Sequence, residues 1–332
     1  MSVNSLAASK GRAGGDRGHV GKVAAFFQAY GPLVLLVGFA GIVTILNPRF
    51  LSITNLLNFS AQIAPMAILA VGATFVIISA GIDLSAGFGI ALAGVITGIT
   101  IASVNSFWLA VLTSLLAGMA LGLVNGFFIT MTRLQPFVVT LATMSMVQGF
   151  IYIFSSGRVI FISNEAFTFV GRGFIGPLPT SVVIMLGVYV LGYILLNRTK
   201  LGTYTYAIGG NENAARLAGI NVEAYKWGIY VLSGITAGIS SILIVSRLGL
   251  IAPNIAGTSI LLDAIASVVL GGTSIQGGSG TIQGTLVGVL IMGIIGNALN
   301  LLNVPPAFQD VFKGAIIVAA LLLDRLMHSK KK

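Results

Sequence analysis

L-S-A-G-F-G-I-A-L-A-G-V-I-T-G-I-T-I-A-S-V-N-S-F-W-L-A-V-L-T-S-L-L-A-G-M-A-L-G-L-V-N-G-F-F-I-T-M-T, residues 84–132, carries no charged side chain. A helix needs about 20 apolar residues to cross the hydrocarbon core of a bilayer. The run is too long for one crossing and fits two, joined by a tight turn. Further uncharged runs cover 30–48, 50–82, 134–157, 173–197, 227–246, 248–262 and 264–309. Divided by the same length rule, they place spans near 30–47, 61–80, 86–104, 108–131, 136–154, 179–197, 227–246, 258–272, 281–299 and 308–326. The expected fold class is an all-α polytopic membrane protein of about ten transmembrane helices.

The composition agrees. Of 332 residues 56% are hydrophobic and 8% charged, against about 25% charged in an average soluble domain. No soluble core could hide so much apolar surface. There is no cysteine, and the two histidines, His19 and His328, lie in the terminal tails, which leaves no ligand set for a metal and no disulfide. No cofactor or metal is expected on this chain.

The net charge of +10 is spread over the flanks of the spans, without the aromatic-interleaved patch of a nucleic-acid binder. It reads as topology. An even number of spans puts both ends on one side, and the tail basics Lys10, Arg12, Arg17 and Lys22, with Arg325 and 330–332 at the other end, make that side the cytoplasm. Arg133, Arg198, Lys200, Arg216 and Lys226 then also fall inside, while Arg49, Arg158, Arg172 and Arg247 fall outside. Trp108 and Trp227 stand at helix starts on opposite faces, as interface anchors do. Residues 1–28 read as a retained, disordered basic tail and 328–332 as a short basic end, flanking a membrane domain at 29–327 with a polar loop at 198–227.

Glycine supplies 43 residues. Gly118, Gly122 and Gly126 recur on one helix face, as do Gly94 with Gly98, Gly234 with Gly238 and Gly284 with Gly288, so that helices can approach closely. Packing within one chain explains these spacings better than dimerisation. The glycine-bounded segments 81–87 and 271–280 break the helical pattern, either as irregular backbone lining a cavity or as tight cytoplasmic turns.

The loop R-T-K-L-G-T-Y-T-Y-A-I-G-G-N-E-N-A-A-R-L-A-G-I-N-V-E-A-Y-K-W (198–227) is the longest polar interruption. Glycines at 209, 210 and 219 bracket a helix-sized stretch at 211–218. Asn211 is placed to cap it, Glu212 suits its positive end and Arg216 its negative end. Such a helix outside the bilayer is built to dock on a partner. Ala214, Ala215 and Ala218 give it a low profile, with Glu212 and Arg216 at the rim of the contact.

Few side chains can carry chemistry. Asp83, beside Ser85, either caps the third span or takes part in translocation, since an ionisable group at membrane depth is costly to bury. Asp263 stands in an apolar stretch, as a structural or gating carboxylate that pairs with Arg247 or caps a broken helix. Asp310 and Lys313 are one turn apart and are expected to pair. Neither a phosphate-binding G-x-x-x-x-G-K-[ST] loop nor a G-x-S-x-G or H-E-x-x-H motif occurs. The chain has no ATPase site of its own and is not expected to be an enzyme.

Six segments together resemble the permease subunit of ribose/galactose-type ABC importers: N-P-R-F-L-S-I-T-N-L (47–56), A-V-G-A-T-F-V-I-I-S-A-G-I-D-L-S-A-G (70–87), Q-P-F-V-V-T-L-A-T-M (135–144), A-I-G-G-N-E-N-A-A-R-L-A-G-I-N-V (207–222), L-D-A-I-A-S-V-V-L-G-G-T-S (262–274) and the Lys313-Gly314 entry into the last helix. They keep the family's order and span the chain outside the tail. The resemblance implies a ten-helix, vitamin-B12-importer-like (type II) architecture. It implies a second permease copy, two nucleotide-binding domains fused in one ATPase subunit that binds ATP and Mg, and a periplasmic or surface sugar-binding protein. The coupling helix of that family falls on Gly210, Asn211, Glu212, Asn213, Ala214, Ala215, Arg216, Leu217, Ala218 and Gly219. Asp83, Ser85, Gln135, Thr140, Asn297 and Asn300 are the candidate pathway residues, and the expected cargo is a monosaccharide, ribose first and galactose or a related sugar next. The residues alone also admit a rival, an ion-coupled secondary transporter of a small polar solute with Asp83 or Asp263 as its proton-linked carboxylate.

Overall fold

The computed structural model describes residues 33–255, 257–315 and 318. The expectations for the tail at 1–28 and the basic end at 328–332 lie outside the described residues. In chain order the helices are α1 (Leu33–Leu46), α2 (Ile53–Ile78), α3 (Ala86–Val104), α4 (Phe107–Met131), α5 (Pro136–Ser155), α6 (Glu165–Arg172), α7 (Thr180–Arg198), α8 (Lys200–Gly210), α9 (Glu212–Leu217), α10 (Val222–Leu248), α11 (Thr258–Leu270), α12 (Ile282–Leu301) and α13 over 306–315. Seven of them, α2, α3, α4, α5, α7, α10 and α12, are long and apolar enough to cross a membrane. The shorter α1, α11 and α13 occupy the other three positions where spans were expected.

Helix starts follow the chain's own caps. Ser52, Ser106, Asn221 and Thr281 each accept a backbone N–H of the first turn, at α2, α4, α10 and α12. Thus α2 begins at 53, well before the expected 61, because Ser52 caps it and the polar first turn of 53–58 is helical too. Asn105 turns the chain between α3 and α4 in the left-handed conformation, φ 49°, which asparagine tolerates.

The helix α2 forms the axis. In its most apolar window 83% of residues are buried within the protein, against 28% in α4 and in α5, whose apolar residues lie mostly at the protein surface. α10 packs on α4 and α2, and α11 on α12 and α2. The glycine spacings are explained here: a Cβ at Gly118 would fall on the carbonyl oxygen of Gly234, one at Gly122 on that of Tyr230, and one at Gly126 on the Trp227 ring. Gly284 and Gly288 meet α11 in the same way at Gly271 and Ser267. All these stripes serve contacts within the chain.

Chain direction gives the bundle two ends. One carries the α2–α3 turn, α8, α9 and the 271–280 loop. The far end carries α6, the ribbon β1 (Ile160–Phe161) paired antiparallel with β4 (Leu250–Ile251), and the hairpin of β2 (Phe174–Ile175) with β3 (Leu178–Pro179). Trp108 and Trp227 do fall at opposite ends, although Trp227 sits inside α10 and donates to the Leu123 carbonyl, 2.9 Å away.

Candidate functional site

The polar loop at 198–227 folds into two helices where one was expected. α8 continues after α7 with only Thr199 between them, and Asn211 ends α8 and begins α9. The Asn211 side chain accepts the Ala214 N–H at 2.9 Å, and Gly219 closes α9 at φ +82°, a conformation that favours glycine. The expected caps of the 211–218 helix are therefore present, with the helix itself at Glu212–Leu217. Gly209 acts elsewhere, since a Cβ at this position would strike the Ile78 carbonyl. That close approach seats α8 on the end of α2, where Gly278 N–H bonds the same carbonyl at 2.8 Å and Tyr206 Oη donates to Gly280 at 2.7 Å.

α9 is held on the start of α10 by charge. Lys226 pairs with Glu212 at 2.5 Å, Glu212 with Arg216 at 3.3 Å, and Arg216 with Glu223. The Glu223 hydrogen bond, helped by Glu212, holds the Arg216 guanidinium above its ordinary value. Beneath this chain of charges Ile208, Ala215 and Val222 form a small apolar core, so Ala215 faces inward, contrary to the expectation that it lies on the docking surface. Asn213, Ala214, Leu217 and Ala218 face outward, and Leu217 is 90% exposed. A cleft of about 500 Å³ runs beside α9, lined by Arg133, Gln135, Glu212, Arg216, Glu223 and Lys226 among others. Gln135, expected on the pathway, belongs to this cleft.

Asp83 and Ser85 form a second cluster, within the bundle. Asp83 Oδ1 accepts the Ser85 N–H at 3.0 Å and the Ser85 hydroxyl at 2.7 Å, and Oδ2 accepts the Ser233 hydroxyl at 2.8 Å. Asn125 then donates to Ser85 Oγ at 2.7 Å and accepts from Thr143 at 2.7 Å. Four helices are tied at the non-helical turn before α3: α3, α4, α5 and α10. The carboxylate lies at the α3 N-terminus, where the helix dipole favours negative charge. Thr140 is fully buried and donates to the carbonyls of Pro136 and Ile82. Asn125, Thr143 and Ser233 were missed in the sequence, although each is a polar residue inside an uncharged span.

Asp263 corrects two expectations. It pairs with Lys313 at 2.6 Å, across α11 and α13, and not with Arg247. Lys313 is thereby withdrawn from the expected pair with Asp310, because α13 turns its Lys313 side toward α11. Arg172, in turn, reaches the α10 C-terminus, donating to the carbonyls of Arg247 and Leu248 at 2.7 and 2.8 Å. Asn297 exchanges hydrogen bonds with Asn55 at 3.0 and 3.2 Å and lines the same far-end cavity as Asp263. Asn300 is exposed and accepts from Gln309 at 3.0 Å, outside that cavity. The six candidate pathway residues thus divide among separate places and do not form one ring. Among the described residues no group of three or more His, Cys, Asp or Glu could hold a metal.

Comparison with known proteins converges on one family. Residues 55–321 match the family described as branched-chain amino acid transport system / permease component. The chain is 39% identical over 302 residues to the ribose import permease protein RbsC of Haemophilus influenzae, covering 90% of this chain and 93% of that one. It is 43% identical over 301 residues to RbsC of Bacillus subtilis, with the same coverage of both chains. The D-allose transport system permease protein AlsC of Escherichia coli is 36% identical over 307 residues, 92% of this chain and 94% of that one. No solved structure matches this chain. With seven helices of crossing length among the described residues, the matched family over most of its length and relatives aligned almost from end to end, this chain belongs to the permease components of ABC transport systems.

Proposed function

We propose that the chain is the membrane-spanning permease of an ATP-driven importer for a monosaccharide, ribose first and galactose or a related sugar next. The observation that carries the ATP-driven part is α9. It is a capped helix, clasped by charge to α10 and seated through α8 on the axial helix α2, and it presents Leu217 at 90% exposure. An apolar side chain standing among charges at the polar end of the bundle faces neither lipid nor core. It suits a cleft on a partner protein. The chain's missing phosphate-binding loop supports the same reading, since the partner must bind ATP and Mg.

In this reading α1, α11 and α13 take the remaining three places of the ten-helix type II architecture, both termini are cytoplasmic, and the membrane is the bacterial cytoplasmic membrane. The partners are an ATPase subunit with two fused nucleotide-binding domains, a second copy of this permease and an extracytoplasmic sugar-binding protein. The α9 end faces the cytoplasm, and motion imposed on α9 passes into α10 directly and into α2 through α8. Ribose is placed first because two relatives named for ribose are 39% and 43% identical to the chain, against 36% for the relative named for D-allose. The matched family is described for branched-chain amino acids, so the cargo needs a direct test.

The substitution Leu217→Asp tests the proposal, because the side chain touches little within the protein. ATP-driven uptake and stimulation of the partner's ATPase should be lost while membrane insertion is retained. Uptake that persists in Leu217→Asp and collapses with an uncoupler supports the ion-coupled rival.

A further inference from the structure

At the end opposite α9 the seam between α2 and α11 opens into a cavity of about 500 Å³. That volume falls within the roughly 300–1,000 Å³ of small-molecule sites. Gln62 of α2, Asn254 of the β4–α11 loop, Asp263 of α11, Asn297 of α12 and Lys313 of α13 supply its polar groups. Phe59, Met66 and Met292 form apolar wall between them. We propose that this cavity binds a neutral polyhydroxylated cargo, with Asp263 and Lys313 as its paired polar anchors. The proposal rests on the sugar-importer reading and gives that reading a site within the permease.

The chemistry of the lining selects the cargo class. Lys313 donates to Asp263 Oδ2 at 2.6 Å, and their side chains are 20% and 17% exposed. Each charge neutralises the other, so the wall has no net attraction for an anion or a cation. The second carboxylate oxygen still accepts and the remaining ammonium protons still donate. A hydroxyl does both, and neighbouring hydroxyls of a sugar can bridge the pair without breaking it. A zwitterionic amino acid reaches the same two groups, but it would have to desolvate both of its charges against a pair already neutralised and so gains no free counter-charge in return.

The supporting groups are fixed in advance. Asn297 is oriented by its double exchange with Asn55. Phe59 lies against α12 where Gly293 leaves room, since a Cβ there would come within 2.9 Å of the ring. Gly296, also on the wall, has open space beside it. Toward the α9 end, again between α2 and α11, lies an apolar chamber of about 260 Å³, lined by Leu69, Val76, Phe137, Leu261 and Ile265 among others, with Asp83 and Ser233 on its wall bonded to each other. Hydroxyls find few partners there, so binding ends at the polar half and the apolar half serves as a barrier to leak.

The chain has no cysteine, so Gln62→Cys introduces a single thiol into the cavity wall. Its modification by a charged, water-soluble methanethiosulfonate is timed in nanodiscs holding the permease with its ATPase, with D-ribose or L-leucine added. D-ribose at twice its dissociation constant should slow the reaction about threefold, and L-leucine should not. No protection by ribose, or equal protection by leucine, overturns the proposal. In a second arm, ribose uptake is compared among Asp263→Asn, Lys313→Met and the exchanged pair Asp263→Lys/Lys313→Asp. Loss of a hydrogen bond from a charged anchor to cargo should lower uptake about tenfold or more, and the exchanged pair should regain thermal stability without regaining uptake. Full recovery of uptake in the exchanged pair makes the ion pair a structural tie and overturns the proposal. Absence of ATP-driven ribose uptake in the unsubstituted complex overturns the importer reading and this site with it, whereas uptake without protection overturns the site alone.

Discussion

Lys226→Met removes one end of the charge clasp that sets α9 on α10. The pair with Glu212 spans 2.5 Å, with Lys226 at 15% exposure and Glu212 at 42%. Solvent screens so exposed a partner, which limits the pair to about 0.5–1 kcal/mol. That is small for the fold but large for α9, which has 6 residues, where an isolated helix needs about 12–15. The ratio of docked to undocked α9 should fall by about 2- to 5-fold. The assay is the number of cargo molecules moved per ATP hydrolysed in proteoliposomes containing the complete transporter. It should fall by up to that factor, with membrane insertion and thermal stability unchanged. Lys226→Arg, which keeps the charge opposite Glu212, should retain it. An unaltered ratio in Lys226→Met, or a Lys226→Arg variant no better than Lys226→Met, would refute the idea that α9 is coupled through this clasp.

Three other substitutions and one control test the frame around that helix. Gly234→Ala sets a methyl group against the Gly118 carbonyl and should destabilise the bundle by about 1–3 kcal/mol, read as a lower unfolding temperature in detergent, whereas Gly228→Ala, with open space beside it, should leave it unchanged. Asn125→Ala removes the bonds to Ser85 and Thr143; at roughly 0.6 kcal/mol per interhelical bond it should cost about 1 kcal/mol in the same melt. Gly219→Ala forces a side chain to φ +82° at roughly 1–2 kcal/mol, and should speed tryptic cleavage at Arg216 while lowering uptake.

The spans were legible because an uncharged run such as 84–132 has one physical solution in lipid, and its division near 105 followed from length alone. The caps of α9 were legible for a similar reason: Asn211 and Gly219 act through local backbone chemistry. What sequence could not give was the partner of a charged residue across the bundle. Lys313 lies three residues from Asp310 and fifty from Asp263, and local spacing favoured the nearer acid; only the approach of α13 to α11 decides for the farther one. The same limit hid the links from Asp83 to Ser233 and from Ser85 to Asn125. It also scattered the pathway candidates, because Gln135, Thr140 and Asn300 share polarity with Asn297 but not position. α8 escaped notice because its polar sequence gives no apolar period; Gly209 on the Ile78 carbonyl fixes it.

The central claim is that this permease moves sugar with energy taken from a partner's ATP. The most direct measurement is uptake of labelled D-ribose by proteoliposomes containing the permease, its ATPase and the sugar-binding protein, with and without ATP and with and without an uncoupler. Uptake that requires ATP and survives the uncoupler is the predicted result. Uptake that proceeds without ATP and stops with the uncoupler would contradict the account.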